Sequence, residues 1–255
     1  MKILSRNVNG IRSIVKKGFA QTILALDPDV ICLQEPKAFL DQAPLELLDL
    51  GYHITWHAGT RPGYAGTVIM TKKQPSQTKN TFDHTMFHED GRLTQIDLDG
   101  LVIINGYFPN GGSRADGTEM LSYKLAFYDH LMDYTKQLHH TPHLIIGDLN
   151  ICHQEIDIAR PKENQTSIGF LPVERSKLTQ FFESGYVDTF RAHYPERRDA
   201  YTWRSPRAGA RERNIGRRID YACASTLLMP HVRAIDHFDH ITGSDHCPIM
   251  LEIEG

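Results

Sequence analysis

Six short apolar segments of this chain each lie next to a carboxylate, amide, phenol or imidazole side chain, and this repetition restricts the possible folds most. In residues 143–150, an apolar run at 144–146 leads through Gly147 to Asp148 and Asn150. Such a run predicts a buried strand, and Gly147 is expected to let the backbone turn at its end. The polar residues of the other five segments are Asn7 and Asn9, Glu35, Tyr107 and Asn110, Asp220, and Asp245 with His246. One such residue is usually turn chemistry, but six together predict a functional site where strand ends meet.

Strands and helices are interspersed along the chain. Apolar runs predict strands at residues 3–7, 30–33, 53–57, 67–70, 92–97, 101–105, 144–146, 219–224 and 248–253, with 201–204 as a further candidate. Helical spacing predicts helices at 19–26, 45–50, 121–138 and from Pro172 to Gly185, and residues 72–81 read as a loop. This mixture predicts sheets covered by helices. Because the sequence contains no disordered linker and no internal repeat, we expect one domain over residues 1–255.

Charge and cysteine content exclude several classes of protein. The formal net charge of −3 shows no global basic character, so any affinity for phosphates must come from local clustering. Cys32, Cys152, Cys223 and Cys247 form no C-x-x-C pair and adjoin apolar runs, which predicts buried free thiols in a reducing compartment. The first residues predict no signal peptide, and no apolar run reaches transmembrane length. We therefore expect a soluble, cytoplasmic protein.

The types of side chain at the strand ends predict the chemistry of the site. Carboxylate and amide oxygens, with one histidine and no cysteine, favour Mg²⁺ or Mn²⁺ over zinc or copper. In such a site Asp148 could act as a base for a water molecule, and His246 could donate to a phosphoryl oxygen. The sequence therefore predicts metal-assisted hydrolysis of a phosphate ester.

A second signal is the distribution of basic residues. Between residues 204 and 218 there are six arginines and one acidic residue. We interpret this stretch as a clamp on the phosphate backbone of a nucleic acid, and the alternative is a solvated basic loop. Arg12, Lys16 and Lys17 could contact phosphates from the opposite side. Tyr64, in a glycine-rich turn, could contact a nucleic-acid backbone or simply pack.

Six motifs occur in the order found in a known family. They are Asn-Val-Asn-Gly-Ile-Arg (7–12), Leu-Gln-Glu (33–35), Asn-Gly-Tyr-Phe-Pro-Asn (105–110), Gly-Asp-Leu-Asn (147–150), Arg-Ile-Asp-Tyr (218–221) and Ser-Asp-His (244–246). On these residues the chain resembles the exonuclease III/apurinic-apyrimidinic endonuclease family, a branch of the endonuclease/exonuclease/phosphatase superfamily. The resemblance implies a DNase I-like α/β fold, in which two mixed β-sheets flanked by helices form a four-layer α/β sandwich with the site at one edge between the sheets.

The resemblance also implies three sets of site residues. The expected metal-binding residues are Asn7, Glu35, Asp148, Asn150, Asp245 and His246. The expected catalytic residues are Tyr107, Asp148, Asn150, Asp220 and His246. The expected DNA-binding residues are Arg12, Lys17, Tyr64, Asn110, Asn164, Trp203 and Arg217. Among the first set, Glu35 would hold the metal, with Asn7 close by and Asp245 as a further ligand or its partner.

The catalytic residues have distinct roles in the family. By resemblance, Asp148 would position or deprotonate the attacking water, and Asn150 would orient that water and the phosphate. His246 would donate to a non-bridging oxygen and would be kept in its tautomer by Asp220. Tyr107 would bond to the phosphoryl group or to the leaving oxygen.

The implied activity is that of a Mg²⁺-dependent DNA repair nuclease, with Mn²⁺ able to substitute. Such an enzyme would act as a monomer on double-stranded DNA, away from membranes. It would cleave the phosphodiester 5′ to abasic sites and trim damaged 3′ ends as a 3′→5′ exonuclease and 3′-phosphatase or phosphodiesterase. Two alternatives are a superfamily phosphatase or phosphodiesterase that acts on a phospholipid headgroup, and a non-catalytic DNA-binding module.

The chain departs from the family pattern at a few positions. Arg217 lies where the family often has a tryptophan in the pocket for the base-less sugar, and Trp203 and Ile219 would still form two walls of that pocket. Arg6 replaces an aromatic residue that often precedes the motif asparagine, and Arg204 replaces a frequent aromatic residue beside Trp203. The change at Arg217 is expected to affect strict preference for abasic sites more than phosphodiester hydrolysis.

Overall fold

Two six-stranded mixed β-sheets pack face to face in the computed structural model, which describes residues 1–80, 87, 89–113 and 117–254. The strands of the first sheet, in their order side by side, are β11 (Val232–His237), β12 (Ile249–Ile253), β1 (Lys2–Asn7), β2 (Val30–Gln34), β4 (Thr67–Thr71) and β3 (His53–His57). Those of the second sheet are β5 (Gln77–Lys79), β6 (Leu93–Leu98), β7 (Leu101–Tyr107), β8 (His143–Asp148), β10 (Asp220–Ser225) and β9 (Tyr186–Asp188). The central pairs β1–β2 and β7–β8 are parallel, and the other neighbouring strands are antiparallel.

Helices cover the outer faces of both sheets. The α-helices include α1 (Ile11–Val15), α2 (Phe19–Leu26), α3 (Leu45–Leu48), α4 (Leu121–Thr135), α5 (Pro172–Glu183) and α6 (Thr189–His193). Short 3₁₀ helices lie at Leu40–Gln42, Lys136–Leu138, Glu155–Asp157, Pro161–Asn164 and Met229–His231. Helices α1 to α3 pack on the first sheet, and α4 and α5 pack on the second.

Strand β8 shows why the layers form. Successive residues of a strand point to opposite faces, so Leu144 and Ile146 lie in the core between the sheets, in the same cluster as Ile3 of the other sheet. Ile145 points the other way and packs in the same cluster as Phe127 of α4. A strand that is apolar on both faces must be covered on both faces. The prediction of a four-layer α/β sandwich with two mixed sheets flanked by helices is confirmed.

Gly147 does not turn the chain, contrary to the prediction, but continues β8 beside Gly106 of β7. Its φ is 142°, and a Cβ atom at this position would lie 2.1 Å from the carbonyl oxygen of Gly106. The glycine is needed because the two backbones approach closely here. This approach precedes the pair formed by Tyr107 and Asp148, the last residues of the two strands.

Several short elements at the sheet edges escape prediction from the sequence. Residues 77–79 form β5 inside a stretch that was predicted to be a loop, and β9, α6 and β11 have no counterpart among the predictions. Residues 201–204 are not a strand, since only isolated bridges join Trp203 to its neighbours. Edge strands of a few residues carry too little alternation to be recognised. The other predicted strands and helices are present, with ends shifted by a few residues at most.

The four cysteines are buried and free, as predicted. Burial raises the pKa of the Cys152 and Cys247 thiols to about 12, so both remain protonated and unreactive at neutral pH. Within the described residues, no helix combines the length and the apolar character that crossing a membrane requires.

A buried polar link joins the two sheets. Asn105 of β7 donates from Nδ2 to the carbonyl oxygens of Leu33 and Val68 in the first sheet, both at 2.9 Å. Its Oδ1 accepts a hydrogen bond from Gln34 Nε2 at 2.7 Å. Both side chains are 0% exposed. Because these groups have no access to water, the link fixes the offset of one sheet against the other.

We expect Asn105→Ala to lower the free energy of unfolding by about 2–4 kcal/mol, because each buried polar group left without a partner costs about 1–3 kcal/mol. Urea unfolding followed by circular dichroism measures this change. The control is Gln77→Ala on the exposed edge strand, where the change should stay within about 0.5 kcal/mol. A loss below about 1 kcal/mol for Asn105→Ala would show that the link does not hold the sheets in place.

Candidate active site

The polar ends of strands from both sheets meet at one edge of the sandwich. In the second sheet, Asp148 at the end of β8 pairs in register with Tyr107 of β7 and with Asp220 of β10. Residues paired across strands project to the same side of a sheet, so these three side chains form a row. In the first sheet, β1 ends at Asn7, and Glu35 follows β2 directly.

The carboxamide of Asn7 joins the two sheets at this edge. Its Nδ2 donates to Glu35 Oε1 at 2.8 Å and to Asp148 Oδ2 at 2.9 Å. Its Oδ1 accepts a hydrogen bond from the backbone N–H of Asn9 at 3.0 Å. The Asn7 side chain is 0% exposed. One fixed amide therefore holds a carboxylate of each sheet beside the other.

Glu35 is held in a strained conformation. Its φ is 53°, in the left-handed region that residues with a side chain rarely adopt. Lys37 Nζ lies 2.7 Å from Glu35 Oε2. Burial acts to raise the pKa of Glu35, but Lys37 and the hydrogen bond from Asn7 outweigh it and hold the pKa below its ordinary value. Glu35 is therefore ionised at neutral pH.

His246 lies between two buried carboxyl groups. Its Nδ1 is 2.9 Å from Asp220 Oδ2, and its Nε2 is 3.9 Å from Asp148 Oδ2. Burial acts to lower the pKa of His246, but the carboxylates of Asp220, Asp148 and Asp245 raise it to about 10. His246 is therefore an imidazolium at neutral pH, which donates from Nδ1 to Asp220 and presents Nε2–H on the side of Asp148.

Asp148 has the properties of a general base. Burial and the nearby Asp220 and Glu35 raise the pKa of Asp148 to about 7, against the opposing effects of His246 and Asn7. A carboxyl group whose pKa lies near neutrality can accept a proton in one step and release it in the next. Asp148 is thus suited to proton transfer at the centre of the cluster.

Tyr107 is supported by a buried cation. The Cζ atom of Arg92 lies 4.8 Å from the centroid of the Tyr107 ring, and Arg92 Nη2 donates to the Tyr64 hydroxyl at 2.6 Å. Burial and the charge of Glu35 raise the pKa of Tyr107 well above its ordinary value. The Tyr107 hydroxyl therefore stays protonated and can donate a hydrogen bond. Arg92, which was not predicted, connects Tyr107 with Tyr64.

Two asparagines lie side by side on the loops that follow β7 and β8. Asn150 Oδ1 accepts a hydrogen bond from Asn110 Nδ2 at 3.1 Å, and Asn150 Nδ2 donates to the carbonyl oxygen of Phe108 at 2.9 Å. The φ of Asn150 is 57°, so this residue also adopts the left-handed conformation. The backbone N–H of Asn150 donates to Asp148 Oδ1 at 3.0 Å. These bonds fix the Asn150 amide beside Asp148.

A cavity of about 150 Å³ opens between these groups. The predicted site residues in its walls are Glu35, Tyr107, Asn110, Asp148, Asn150, Trp203, Arg217, Asp245 and His246. Asn7 and Asp220 lie behind the walls and bond to residues that form them. Ile219, which the family resemblance puts in a wall of the sugar pocket, also lines this cavity.

Asp245 uses both carboxylate oxygens in hydrogen bonds. Oδ1 accepts from Asn9 Nδ2 at 3.0 Å, and Oδ2 accepts from Trp203 Nε1 at 2.9 Å. Burial acts to raise the pKa of Asp245, but His246 and these bonds hold it below its ordinary value. Asp245 therefore fixes the orientation of the Trp203 ring at the cavity wall.

The donor set fits a hard divalent cation. A carboxylate oxygen of Asp148 lies within 4.8 Å of one of Asp220, and Asn7 places Glu35 next to Asp148. Oxygen donors without cysteine suit Mg²⁺ or Mn²⁺. Burial is the largest cause of the raised pKa of Asp148, and the nearby carboxylates of Asp220 and Glu35 add to it. A cation beside Asp148 would favour its ionised form.

Four predicted DNA-binding residues lie outside the cavity walls. Arg12 and Lys17 are exposed, and Arg12 shares a shallow cleft with Lys16. Tyr64 packs between guanidinium groups, with the Cζ atom of Arg61 at 4.1 Å from its ring centroid. The fourth is Asn164, and its Nδ2 donates to two backbone carbonyl oxygens of its own loop at 3.1 and 3.0 Å.

The arginine-rich stretch at 204–218, which the sequence predicts to be one clamp, contains both buried and more exposed arginines. Arg204 and Arg218 are 4% and 0% exposed. Arg218 pairs with Asp157 at 2.7 Å and with Asp188 at 2.6 Å, and Arg204 Nη2 donates to Asn214 Oδ1 at 2.7 Å. A buried guanidinium with protein partners cannot reach a DNA phosphate. The predicted six-arginine clamp is therefore wrong for these two residues.

Basic side chains also hold the loop at 241–246 through its carbonyl oxygens. Arg6 donates to the carbonyl oxygens of Thr242 at 2.8 Å and His246 at 3.3 Å. Arg211 donates to that of Ser244 at 3.0 Å, and Lys17 donates to that of Gly243 at 3.0 Å. In the sequence, Arg6 stands out only as a departure from the family pattern. Its signal was present, since an arginine inside an apolar strand requires buried acceptors. The loop that carries His246 is thus fixed from several sides.

A buried ion pair supports the loops of the two asparagines. Lys124 Nζ donates to Glu174 Oε1 at 2.6 Å and to the carbonyl oxygens of Asn150 and Asn110 at 2.8 and 3.0 Å. Glu174 Oε2 accepts a hydrogen bond from the backbone N–H of Gly169 at 2.6 Å. Both charged side chains are 0% exposed. Neither residue was predicted, although a lysine at core-facing spacing in a helix is a signal of this kind.

Comparison with known proteins extends over the whole chain. Residues 6–246 match the model of the Endonuclease/Exonuclease/phosphatase family. The chain is 38% identical to an exodeoxyribonuclease of Bacillus subtilis (strain 168), over 99% of each chain. It is similar, with a TM-score of 0.90 and full coverage of both chains, to an AP endonuclease from Archaeoglobus fulgidus at 26% identity. The same score and coverage hold for a 3′ phosphatase from Neisseria bound to a product DNA hairpin, at 25% identity.

We expect Lys124→Met to lower the free energy of unfolding by about 3–5 kcal/mol, because it leaves the Glu174 carboxylate buried without its partner. The matched control is Asp129→Asn, since Asp129 and Lys177 form a more exposed ion pair between the same two helices, and such pairs contribute about 0–1 kcal/mol. Urea unfolding measures both changes. Equal effects of the two substitutions would contradict a special role for the buried pair.

We expect Asp220→Asn to lower the pKa of His246, because the variant loses one of the carboxylates that stabilise the imidazolium against the effect of burial. In the parent protein, the raised pKa stabilises the folded state fully below pH 6.5 and loses this effect as the pH rises towards about 10. The variant should lose that stabilisation at neutral pH. Proton NMR titration of the metal-free protein, with His246→Gln to assign the resonance, measures the pKa. An unchanged pKa would contradict the role given to Asp220.

Proposed function

Since the chain belongs to the endonuclease/exonuclease/phosphatase family, we propose that it is a DNA repair nuclease that cleaves the phosphodiester 5′ to abasic sites and trims 3′ ends. Membership rests on the match over residues 6–246 and on 38% identity to an exodeoxyribonuclease of the same length. The family predicted from the six motifs is confirmed. The chain is accordingly an enzyme that hydrolyses DNA.

The observation that carries the proposal is the grouping of Glu35, Asp148 and His246 within one buried cluster. Asn7 bonds to the first two residues, and Asp220 orients the third. Oxygen ligands, a base with a pKa near neutrality and a fixed cationic donor are the groups that hydrolysis of a phosphate ester requires.

The residues of the chain act on water and phosphate in distinct ways. Asp148 accepts a proton from the attacking water, and Asn150 orients that water and the phosphate. His246 donates from Nε2 to a non-bridging oxygen and stabilises the charge that develops there. Asp220 keeps His246 protonated and oriented, and Tyr107 donates to the phosphoryl group or the leaving oxygen. The bond to O3′ breaks, which leaves a 3′-hydroxyl.

We assign a divalent cation to the carboxylate side of the cluster. The residues proposed to surround it are Asn7, Glu35, Asp148, Asn150 and Asp245. Mg²⁺ is the ion that this oxygen donor set favours, with Mn²⁺ as a substitute. Such an ion, when bound, supplies positive charge that polarises the phosphoryl group and stabilises the leaving oxygen. We assign His246 to the phosphate, since an imidazolium has no lone pair to offer a metal.

The proposed substrate is double-stranded DNA with abasic sites or damaged 3′ ends, bound by a monomer. The relative from Archaeoglobus fulgidus is an AP endonuclease, and the one from Neisseria is a 3′ phosphatase bound to a DNA hairpin. The residues proposed to contact the DNA are Arg12, Lys17, Tyr64, Asn110, Asn164, Trp203 and Arg217. Exposed cations such as Arg12 and Lys17 suit contacts with backbone phosphates.

Neither alternative function has a comparable observation in its favour. The reported relatives are named for activities on DNA, and none is named for a lipid, so the phospholipid headgroup is not supported as substrate. A non-catalytic DNA-binding module would not need Glu35, Asp148 and His246 to converge as they do.

A duplex with one abasic site tests the proposal. The parent protein should cut it on the 5′ side of that site with Mg²⁺ and should lose activity in EDTA. Asp148→Asn should lower kcat by about 10²–10⁴-fold, the usual contribution of a general base. Glu35→Gln should raise the Mg²⁺ concentration required for half-maximal activity.

The control for these variants is Glu183→Gln, which removes an exposed carboxylate at the end of α5. It should cleave at the parental rate. Folded parent protein that leaves abasic duplex, recessed 3′ ends and 3′-phosphates all intact in Mg²⁺ would exclude the proposed function.

A further inference from the structure

Arg217 places a cation in the wall of the catalytic cavity, which the carboxylates of Glu35, Asp148 and Asp245 also line. We propose that Arg217 forms an anion subsite beside the reacting phosphorus, which binds a negatively charged group carried by a damaged 3′ end. This inference rests on the proposed function and names the substrate class that the site prefers: 3′-terminal phosphate and 3′-phosphoglycolate over an internal abasic site.

Backbone pairing puts Arg217 on the same face as the catalytic histidine. Trp203 forms antiparallel bridges with Arg217 on one side and with His246 on the other. Bridged residues project to the same side, and neighbouring strands lie about 4.8 Å apart. The backbones of Arg217 and His246 are therefore roughly 10 Å apart, with the Trp203 ring between them. A phosphoryl group at His246 has the Arg217 guanidinium as its neighbour along this wall.

The groups that fix the Arg217 guanidinium, as far as the described residues show, are neutral. Arg217 Nη1 donates to the carbonyl oxygen of Ile168 at 2.7 Å, and Nη2 donates weakly to Asn164 Oδ1 at 3.4 Å. Its Cζ atom lies 5.8 Å from the Trp203 ring centroid. Gly169 permits this position, since a Cβ atom there would lie 3.3 Å from Nη1. These contacts orient the Arg217 side chain but do not neutralise its positive charge.

The charge of Arg217 differs from that of its neighbour because it has no counterion within the described part of the chain. Among the described residues Arg217 forms no ion pair, whereas the adjacent Arg218 pairs with both Asp157 and Asp188. A guanidinium carries several N–H donors in a planar fork that matches carboxylate and phosphate oxygens. The donors that are not bonded to Ile168 and Asn164 remain for a ligand. A half-buried, oriented and unneutralised arginine in a catalytic cavity is suited to an anion.

The chemistry of the substrates explains the preference. In each reaction, water adds to phosphorus, the bond from phosphorus to O3′ breaks and one proton moves to O3′. What differs is the group that stays on the phosphorus, in the cavity. At an abasic site this group is a neutral sugar, at a 3′-phosphate it is an anionic oxygen, and at a 3′-phosphoglycolate it is a glycolate with a carboxylate. The scissile phosphate is anionic in all three substrates, but only the last two place a further charged group where the abasic sugar would lie. Arg217 can form a charged hydrogen bond with that group.

The first test compares the three substrates in one duplex context with Mg²⁺. Arg217→Gln should lower the ratio of kcat/KM on 3′-phosphate or 3′-phosphoglycolate to kcat/KM on the abasic site by about ten-fold or more, the effect of losing one charged hydrogen bond. Arg217→Lys should retain part of the ratio. The control, Arg233→Gln, removes an equal charge from an exposed position on β11 and should leave the ratio unchanged. An unchanged ratio in Arg217→Gln overturns the inference.

The second test needs only the parent protein. 2-Phosphoglycolate should inhibit cleavage of the abasic duplex about ten-fold more strongly than glycerol phosphate, which has the same phosphate without the carboxylate. Equal inhibition by the two compounds overturns the subsite, while cleavage itself upholds the proposed nuclease. A parent protein that cuts none of the three DNA substrates excludes the nuclease and the subsite together.

Discussion

The carboxamide of Asn7 bonds at once to Glu35 of one sheet and to Asp148 of the other, and the site depends on this contact. Two sheets packed through an apolar core have no intrinsic register, because apolar contacts are not directional. Buried hydrogen bonds are directional, and the cost of leaving them unmade fixes the offset. Asn105 secures the interior of the sandwich in the same way. At the edge, this constraint brings carboxylates of both sheets into one cluster.

Two carboxylates at the site are each paired with a cation. Lys37 neutralises Glu35, and Asp220 is matched by the His246 imidazolium. Asp148 receives less compensation, and its pKa is raised to about 7. The same burial that makes the charge of Asp148 unfavourable therefore also makes Asp148 a proton acceptor near neutral pH. Burial, which is costly for structure, here creates the chemical reactivity.

Several basic residues of this protein have their partners in its interior rather than at its surface. Arg218 and Lys124 form ion pairs with buried carboxylates. Arg6 and Arg211 donate hydrogen bonds to carbonyl oxygens of the loop that carries His246. A loop without regular structure leaves its carbonyl groups unpaired, and an arginine can satisfy several of them at once. Arg217 differs from Arg218 and Lys124 because it forms no ion pair among the described residues, and it differs from Arg6 because it lies in the wall of the catalytic cavity.

The sequence by itself determined the order of the main strands and helices, the layered α/β class and the residues that end at the site. These follow from local patterns, because alternation and helical spacing record which side chains a segment must bury. Tertiary structure alone decided which arginines are buried and with which partners, the close approach of backbones that requires Gly147, and the pairing of Lys124 with Glu174. In each case the deciding partner is distant along the chain, and the free energy of a buried charge or polar group depends on that partner rather than on its neighbours in sequence.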